Sequence, residues 1–213
     1  MNKIALAFFA SLALMVGSQA STITFGNVAG ATTHAFTDAS GGNLPNGGGF
    51  AALGTFGIGD DAISGANASG DFGAVKAGFT QFGNSLTIGF ANRDGFLQGL
   101  VNGAIAGGDS FAGNSVYAVV GNGSSLDNSS DLLVFKSAST FLADPAPTDN
   151  VIVNPANGSL LLGGVGNTNV AGNDFSSYQL AGAGGGVDPV IPEPSSTLLG
   201  LIGLGFVALR RKR

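Results

Sequence analysis

Glycine sets the narrowest limit on what this chain can become. Of its 37 glycines, four lie near the ends (Gly17, Gly200, Gly203 and Gly205), leaving 33 among the 171 residues from Ser21 to Ile191. Each glycine in a helix interior costs about 1 kcal/mol relative to alanine. Leu, Glu, Lys and Arg, the usual helix builders, are scarce in that stretch, and Thr, Val, Ile and Phe fill short apolar runs between Gly, Asn, Asp and Ser clusters. Those clusters suit tight turns. The expected fold class is therefore all-β, a Gly/Asn-turn-rich, sandwich-like single domain. Candidate strands are Ser21–Phe25, Phe72–Thr80, Ser85–Ala91, Ser115–Val120, Asp131–Ser137, Val151–Val153, Ser159–Leu162 and Ser176–Leu180. Leu86, Ile88 and Phe90 alternate with small or polar residues, as a half-buried strand does. Phe96, Leu97, Leu100, Val101, Ala104 and Ile105 have helical spacing instead, so one short helix is expected there, weakened by Gly99 and Gly103.

The body has a compositional seam. Between Phe25 and Phe96, Phe stands next to Gly eight times, as in Gly49-Phe50 and Phe82-Gly83; residues 124–157 contain no glycine. One domain whose glycines are covered by Phe rings fits this pattern. Two small units also fit, although neither half alone offers a generous core. No fixed-period repeat marks a solenoid.

Charge narrows the range of partners. Three basic residues in the body (Lys76, Arg93, Lys136) against twelve aspartates give it a formal charge of −9. Such a surface repels phosphate backbones, so no nucleic-acid partner is expected. Cysteine is absent, which excludes disulfides and a thiol nucleophile. Stability then rests on packing, hydrogen bonds or bound cations.

The residues offer little catalytic chemistry. His34 is the only histidine, and no Gly-x-Ser-x-Gly elbow occurs anywhere. A Ser-His-Asp arrangement would depend on that one imidazole. Asp60, Asp61, Asp71, Asp94 and Asp109 supply carboxylates, but the body lacks Glu and Trp. A carboxylate pair for glycoside hydrolysis and a tryptophan platform for sugars are both poorly served, and no enzyme is expected. Turn clusters such as Gly59-Asp60-Asp61, Gly107-Gly108-Asp109-Ser110 and Asp127-Asn128-Ser129-Ser130-Asp131 offer oxygens of the kind Ca²⁺ prefers, though none follows the EF-hand pattern. Solvated turn residues are the plainer account of them. No metal site or cofactor is assigned.

Both ends carry export signals. Met1-Asn2-Lys3 is a short positive region, Ile4–Val16 an apolar one, and Gly17-Ser18-Gln19-Ala20 a small-residue cleavage site. This is the layout of a secretory signal peptide, with the cut expected between Ala20 and Ser21. At the other end, Ile191-Pro192-Glu193-Pro194-Ser195-Ser196 precedes 13 uncharged residues, Thr197–Leu209, and then Arg210-Arg211-Lys212-Arg213. Two prolines keep Pro192-Glu193-Pro194 extended. The apolar run spans roughly 20 Å as a helix, short of a hydrocarbon core of about 30 Å. It crosses only by recruiting Ser195-Ser196 and by snorkelling its arginines. The four cations act as a membrane stop and place the C-terminus in the cytoplasm.

In residue type and order this tail resembles the PEP-CTERM sorting tail of Gram-negative and related bacteria. The resemblance rests on Pro192-Glu193-Pro194, the Leu/Gly-rich run Leu198–Phe206 and the closing Arg/Lys cluster, about a tenth of the chain. It implies that Pro192, Glu193 and Pro194 are recognised by an exosortase-like processing enzyme, a membrane-embedded cysteine transpeptidase-like protein. The layout expected is then a signal peptide (1–20), an exported β-rich domain (21–181), a flexible linker (182–191) and a sorting tail (192–213) with a transmembrane helix over about 195–209. A membrane-anchored precursor passed to the cell surface or exterior follows, with a structural or adhesive role alongside exopolysaccharide. The alternative is a secreted glycan- or Ca-binding module.

Overall fold

Two segments with nearly unbroken Val, Leu, Ala and Phe, Ser115–Gly121 and Asp131–Thr140, form the centre of the molecule. Strands with this pattern need cover on both faces, and the rest of the chain supplies it. The structure, a computed structural model, describes residues 21–28, 33–105, 110–143, 149–153 and 156–184. In chain order the strands are β1 (Ser21–Gly26), β2 (His34–Thr37), β3 (Phe50–Phe56), β4 (Phe79–Leu86), β5 (Gln98–Gly103), β6 (Ser115–Gly121), β7 (Asp131–Thr140), β8 (Asp149–Ile152), β9 (Gly158–Leu162), β10 (Gly164–Val170), β11 (Asn173–Gln179) and β12 (Ala181–Gly182). Two helices, α1 (Asp60–Ser69) and α2 (Gly73–Gly78), lie between β3 and β4.

The strands form three sheets. The largest runs β12-β7-β6-β3-β4, with β9 also paired to β7. The second runs β5-β1-β8 and the third β10-β11-β2. Most pairs are antiparallel, but β8 on β1 and β2 on β11 are parallel. One core draws on all three sheets: Phe25, Phe36, Leu53, Phe82, Val101, Val120, Phe135, Val151 and Tyr178 all belong to it. It therefore combines residues from before and after Phe96. A second core lies on the opposite face of the large sheet, where Ile63 and Ala66 of α1 and Val75 of α2 meet Phe50, Ala52, Val119, Leu132, Val134 and Leu162.

Strand makes up 49% and helix 13% of the described residues, so the all-β expectation is corrected to mainly β. The sequence pattern hid α1 because Ser64, Gly65, Asn67 and Ser69 are poor helix formers. Tertiary contact and the ends compensate. Asp60 and Asp61 sit in the first turn, and Gly70 closes the last with φ 65° and its N–H on the Ala66 carbonyl. Acidic residues at a helix start and a left-handed glycine at its end both favour the helix. The expected strand Phe72–Thr80 is likewise corrected: its first part is α2, at whose start Gly73 N–H donates to Asp71 Oδ1 (2.9 Å), and only Phe79 onward is strand. The expected strand Ser85–Ala91 ends at Leu86, and Phe90–Asn92 is a short 3-10 turn. The helical spacing from Phe96 to Ile105 is also overturned. Gln98–Gly103 is strand β5, where Val101 is buried and Leu100 stands 53% exposed.

Phenylalanine rings do cover glycines, but from a neighbouring strand. A Cβ on Gly54 of β3 would meet the Phe79 ring at 2.7 Å, and one on Gly103 of β5 would meet the Phe82 ring at 2.6 Å. Gly158 of β9 stands in the same relation to Phe135 of β7. Glycine is required there because the ring occupies the side-chain space, and the ring restores apolar cover that glycine cannot provide.

Polar side chains stitch the sheets together. Asn27 is fully buried, and its Nδ2 donates to His34 O (2.7 Å) and Gly95 O (2.8 Å) while its Oδ1 accepts from Leu97 N (2.7 Å). Asn84 of β4 plays a similar part towards β5, donating to Leu100 O (3.2 Å) and accepting from Asn102 N (2.8 Å). At the C-terminal side, β12 pairs with Leu132 and Asp131, Ala183 N donates to Ser130 O, and Gly184 N to Gly70 O. The docked chain thus runs past Ala181 to Gly184, into the segment expected to be linker.

Two substitutions test this scaffold in opposite directions. Asn27→Ala leaves the buried Leu97 N–H without its acceptor and takes a donor from His34 O and from Gly95 O, which keeps Phe36 N, so urea denaturation is expected to show a loss of about 2 kcal/mol. Thr37 Oγ1 is buried without a partner among the described residues. Thr37→Val removes that desolvated hydroxyl and is expected to raise stability by about 1 kcal/mol.

Candidate functional site

Several aspartates serve as acceptors for turn N–H groups. Asp38 Oδ1 accepts from Ser40 N, Ser40 Oγ and Gly42 N; Asp94 Oδ1 accepts from Asn46 N; Asp131 accepts from Ala39 N and Ser130 Oγ. A short carboxylate reaches nearby backbone N–H groups where glutamate would overshoot. Among the described residues no three His, Asp or Glu side chains gather as a metal cluster. Asp127 lies on the β6–β7 connection and Asp131 begins β7; on the connection the Asp127 carbonyl and the Ser129 carbonyl accept from Lys76 Nζ (3.1 and 2.7 Å). Asp109 lies outside the described residues. His34 is a half-buried residue of β2 whose ring stacks on Tyr178 at 4.8 Å. Burial pushes the Tyr178 hydroxyl up to about 12.

One charged constellation among the described residues is not one the sequence singled out as a unit. Tyr117 of β6, Lys136 of β7 and Asp60 of α1 converge where the helix layer meets the large sheet. Tyr117 and Lys136 are register partners in adjacent strands. The Tyr117 hydroxyl donates to Asp60 Oδ1 at 2.8 Å, and Lys136 Nζ to Asp60 Oδ2 at 2.7 Å. The ammonium also lies 5.6 Å from the Tyr117 ring centre, within cation–π range. Phe56 meets the Tyr117 ring edge-on at 5.1 Å and Phe79 at 5.2 Å. The hydrogen bond from Lys136, followed by that from Tyr117, holds the Asp60 carboxyl below the usual carboxylate range; slight burial opposes them. The same bond pushes Lys136 up. Tyr117 is pushed up chiefly by burial and then by the carboxylate.

Beside this cluster runs a groove of about 330 Å³, lined by Thr55, Phe56, Thr80, Asn114, Ser115 and Tyr117 among others. It offers hydroxyls and a carboxamide against aromatic rings. This is the chemistry of a site for hydroxyl-rich ligands, in which polar groups fix orientation and rings supply contact area.

The expected site residues lie elsewhere in the chain. Ala20, Pro192, Glu193, Pro194, Arg210, Arg211, Lys212 and Arg213 fall outside the described residues. Ser21, on the far side of the expected signal cut, begins β1 and is buried opposite Gly103. A chain starting there keeps the whole strand. The apolar tail is not among the described residues either, and within those no helix is long and apolar enough to cross a membrane. What decides the tail is a family match over residues 190–213. This segment is a PEP-CTERM protein-sorting motif. The PEP-CTERM motif implies an exported protein, sorted at a membrane through its C-terminus and processed by exosortase. No curated protein and no solved structure matches the chain.

The Asp60 pair gives a defined pH signature. A carboxyl with a lowered folded value adds stability above its ordinary 3.8, and that stability is lost as pH falls through the lower value. Lys136, raised from 10.5, contributes fully below that pH and loses its share as pH rises through the higher value. Because the two side chains are 34% and 38% exposed, Asp60→Asn is expected to cost under about 1 kcal/mol at neutral pH. In paired denaturation curves that difference should shrink on both the acid and the alkaline side.

Proposed function

We propose that the exported body is a non-catalytic structural or adhesive component of the cell surface or extracellular matrix, holding to exopolysaccharide through the Thr55–Tyr117 groove. The observation that carries this reading is the groove itself: hydroxyl and amide groups beside Phe56 and Tyr117, on strands packed on both faces. Rigid placement of polar contacts limits the entropy lost on binding. The acidic body supports a neutral or weakly charged polymer over a polyanion, and nucleic acid is disfavoured for the same reason. The PEP-CTERM tail supports delivery to the exterior, where such a polymer is met.

A second reading has the same groove serving a secreted glycan-binding module with a discrete oligosaccharide ligand. The two separate experimentally. Deleting the protein and restoring either the wild type or a Tyr117→Ser, Asn114→Ala variant is expected to show lost matrix cohesion, recovered only by the wild type. Retention of the purified protein on the organism's own exopolysaccharide should fall at least tenfold in the variant. Unchanged cohesion on deletion, with saturable binding of a short oligosaccharide, would favour the second reading. Loss of neither cohesion nor retention would remove both.

A further inference from the structure

A second cavity, small and apolar, lies at the other side of the Asn27 joint. It measures about 140 Å³ and is bounded by Val28, Phe90, Ala91, Arg93, Phe96 and Phe175, with Thr33 at its border. An apolar cavity of about 150 Å³ is large enough for benzene. Phe96 and Phe175 meet edge to face at 5.2 Å, while Phe90 is 39% exposed. Arg93 is exposed, and its guanidinium makes no hydrogen bond or ion pair among the described residues. The other two cations of the body are engaged, Lys76 by backbone carbonyls and Lys136 by Asp60. The neighbouring carboxylate of Asp94 accepts from Asn46 N.

The turn presenting these groups is preset. Ala91 and Asn92 both have left-handed backbones, with φ 55° and 57°. Non-glycine residues adopt this conformation at a cost and hold it only where surrounding bonds enforce it. Here Gly89 N and Phe90 N both donate to Phe96 O (2.7 and 2.9 Å), and Gly95 N donates to Leu44 O (2.7 Å). The backbones of Phe90 and Arg93 are thereby held at the edge of one cavity.

We propose that this cavity binds a small aryl carboxylate, its ring among Phe90, Phe96 and Phe175 and its carboxylate paired with Arg93. A neutral ring would leave the guanidinium unused. A polyanion would face the net negative body, whereas a single carboxylate meets the one cation left unpaired among the described residues. Arginine also suits a planar carboxylate, which it can grip with two parallel hydrogen bonds.

Titration calorimetry on the exported protein with phenylacetate, and with phenylacetamide as its neutral counterpart, tests the assignment. Saturable phenylacetate binding is expected, with the amide at least tenfold weaker. Arg93→Gln should bring phenylacetate down to the level of the amide. It should leave the melting temperature without ligand unchanged, because Arg93 holds nothing in the fold. Phe90→Ser should weaken both ligands. No saturable phenylacetate binding up to about 10 mM, equal affinity for acid and amide, or an Arg93→Gln variant that binds the acid as well as wild type would overturn it.

Discussion

The buried carboxamide of Asn27 is the contact on which the smaller sheets depend. It follows β1, accepts from Leu97 N–H at the entry to β5, and donates to the carbonyls of His34, at the start of β2, and Gly95. Its own backbone joins in, donating to Leu97 O and accepting from His34 N. The second and third sheets therefore meet around this residue, where Phe36 N also donates to Gly95 O. An apolar residue could fill that space but could not satisfy those backbone groups, and unsatisfied backbone is among the most expensive things a core can hold. In a chain without cysteine, fully paired carboxamides such as Asn27 and Asn84 fix where sheets join. Apolar burial supplies the driving force but no such address.

The same economy of charged groups shapes the surface. Aspartates are spent on turn N–H groups, Lys76 on carbonyls of the β6–β7 connection, and Lys136 on Asp60. What remains is an acidic body with a polar, aromatic-walled groove at one place and an exposed arginine beside an apolar cavity at another. The groove shares Tyr117 with the second core, and the cavity beside the arginine is walled by the buried cluster of Phe96 with Val28 and Phe175.

Much of the fold was legible, and the failures have physical causes. β6 and β7 were plain because unbroken β-branched and aromatic runs have few other uses in a chain this rich in glycine. β1, β9 and β11 were visible between turn residues. β3 escaped because Ala51, Ala52 and Gly54 carry little strand propensity; its place comes from burial between β4 and β6. α1 escaped for the converse reason, although Asp60-Asp61, the Ile63/Ala66 spacing and Gly70 together could have revealed it. Phe96–Ile105 misled because helical spacing is easily imitated when two apolar residues of a loop, Phe96 and Leu97, precede a strand. The Tyr117–Asp60–Lys136 cluster is spread across 76 positions, and only the β6–β7 register and the helix return bring it together. The sorting tail needed no fold to be read, because its proline pair, apolar run and basic stop act through order alone.

The account holds that export and C-terminal sorting deliver a folded β-rich body to the outside of the cell. The most direct test is the intact mass of the protein recovered from the cell exterior, with sequencing of both termini. A product beginning at Ser21 and ending near Pro192 is the predicted result. A product still ending at Arg213 and found only in the membrane fraction would contradict it, making the tail a permanent anchor and the body a tethered domain.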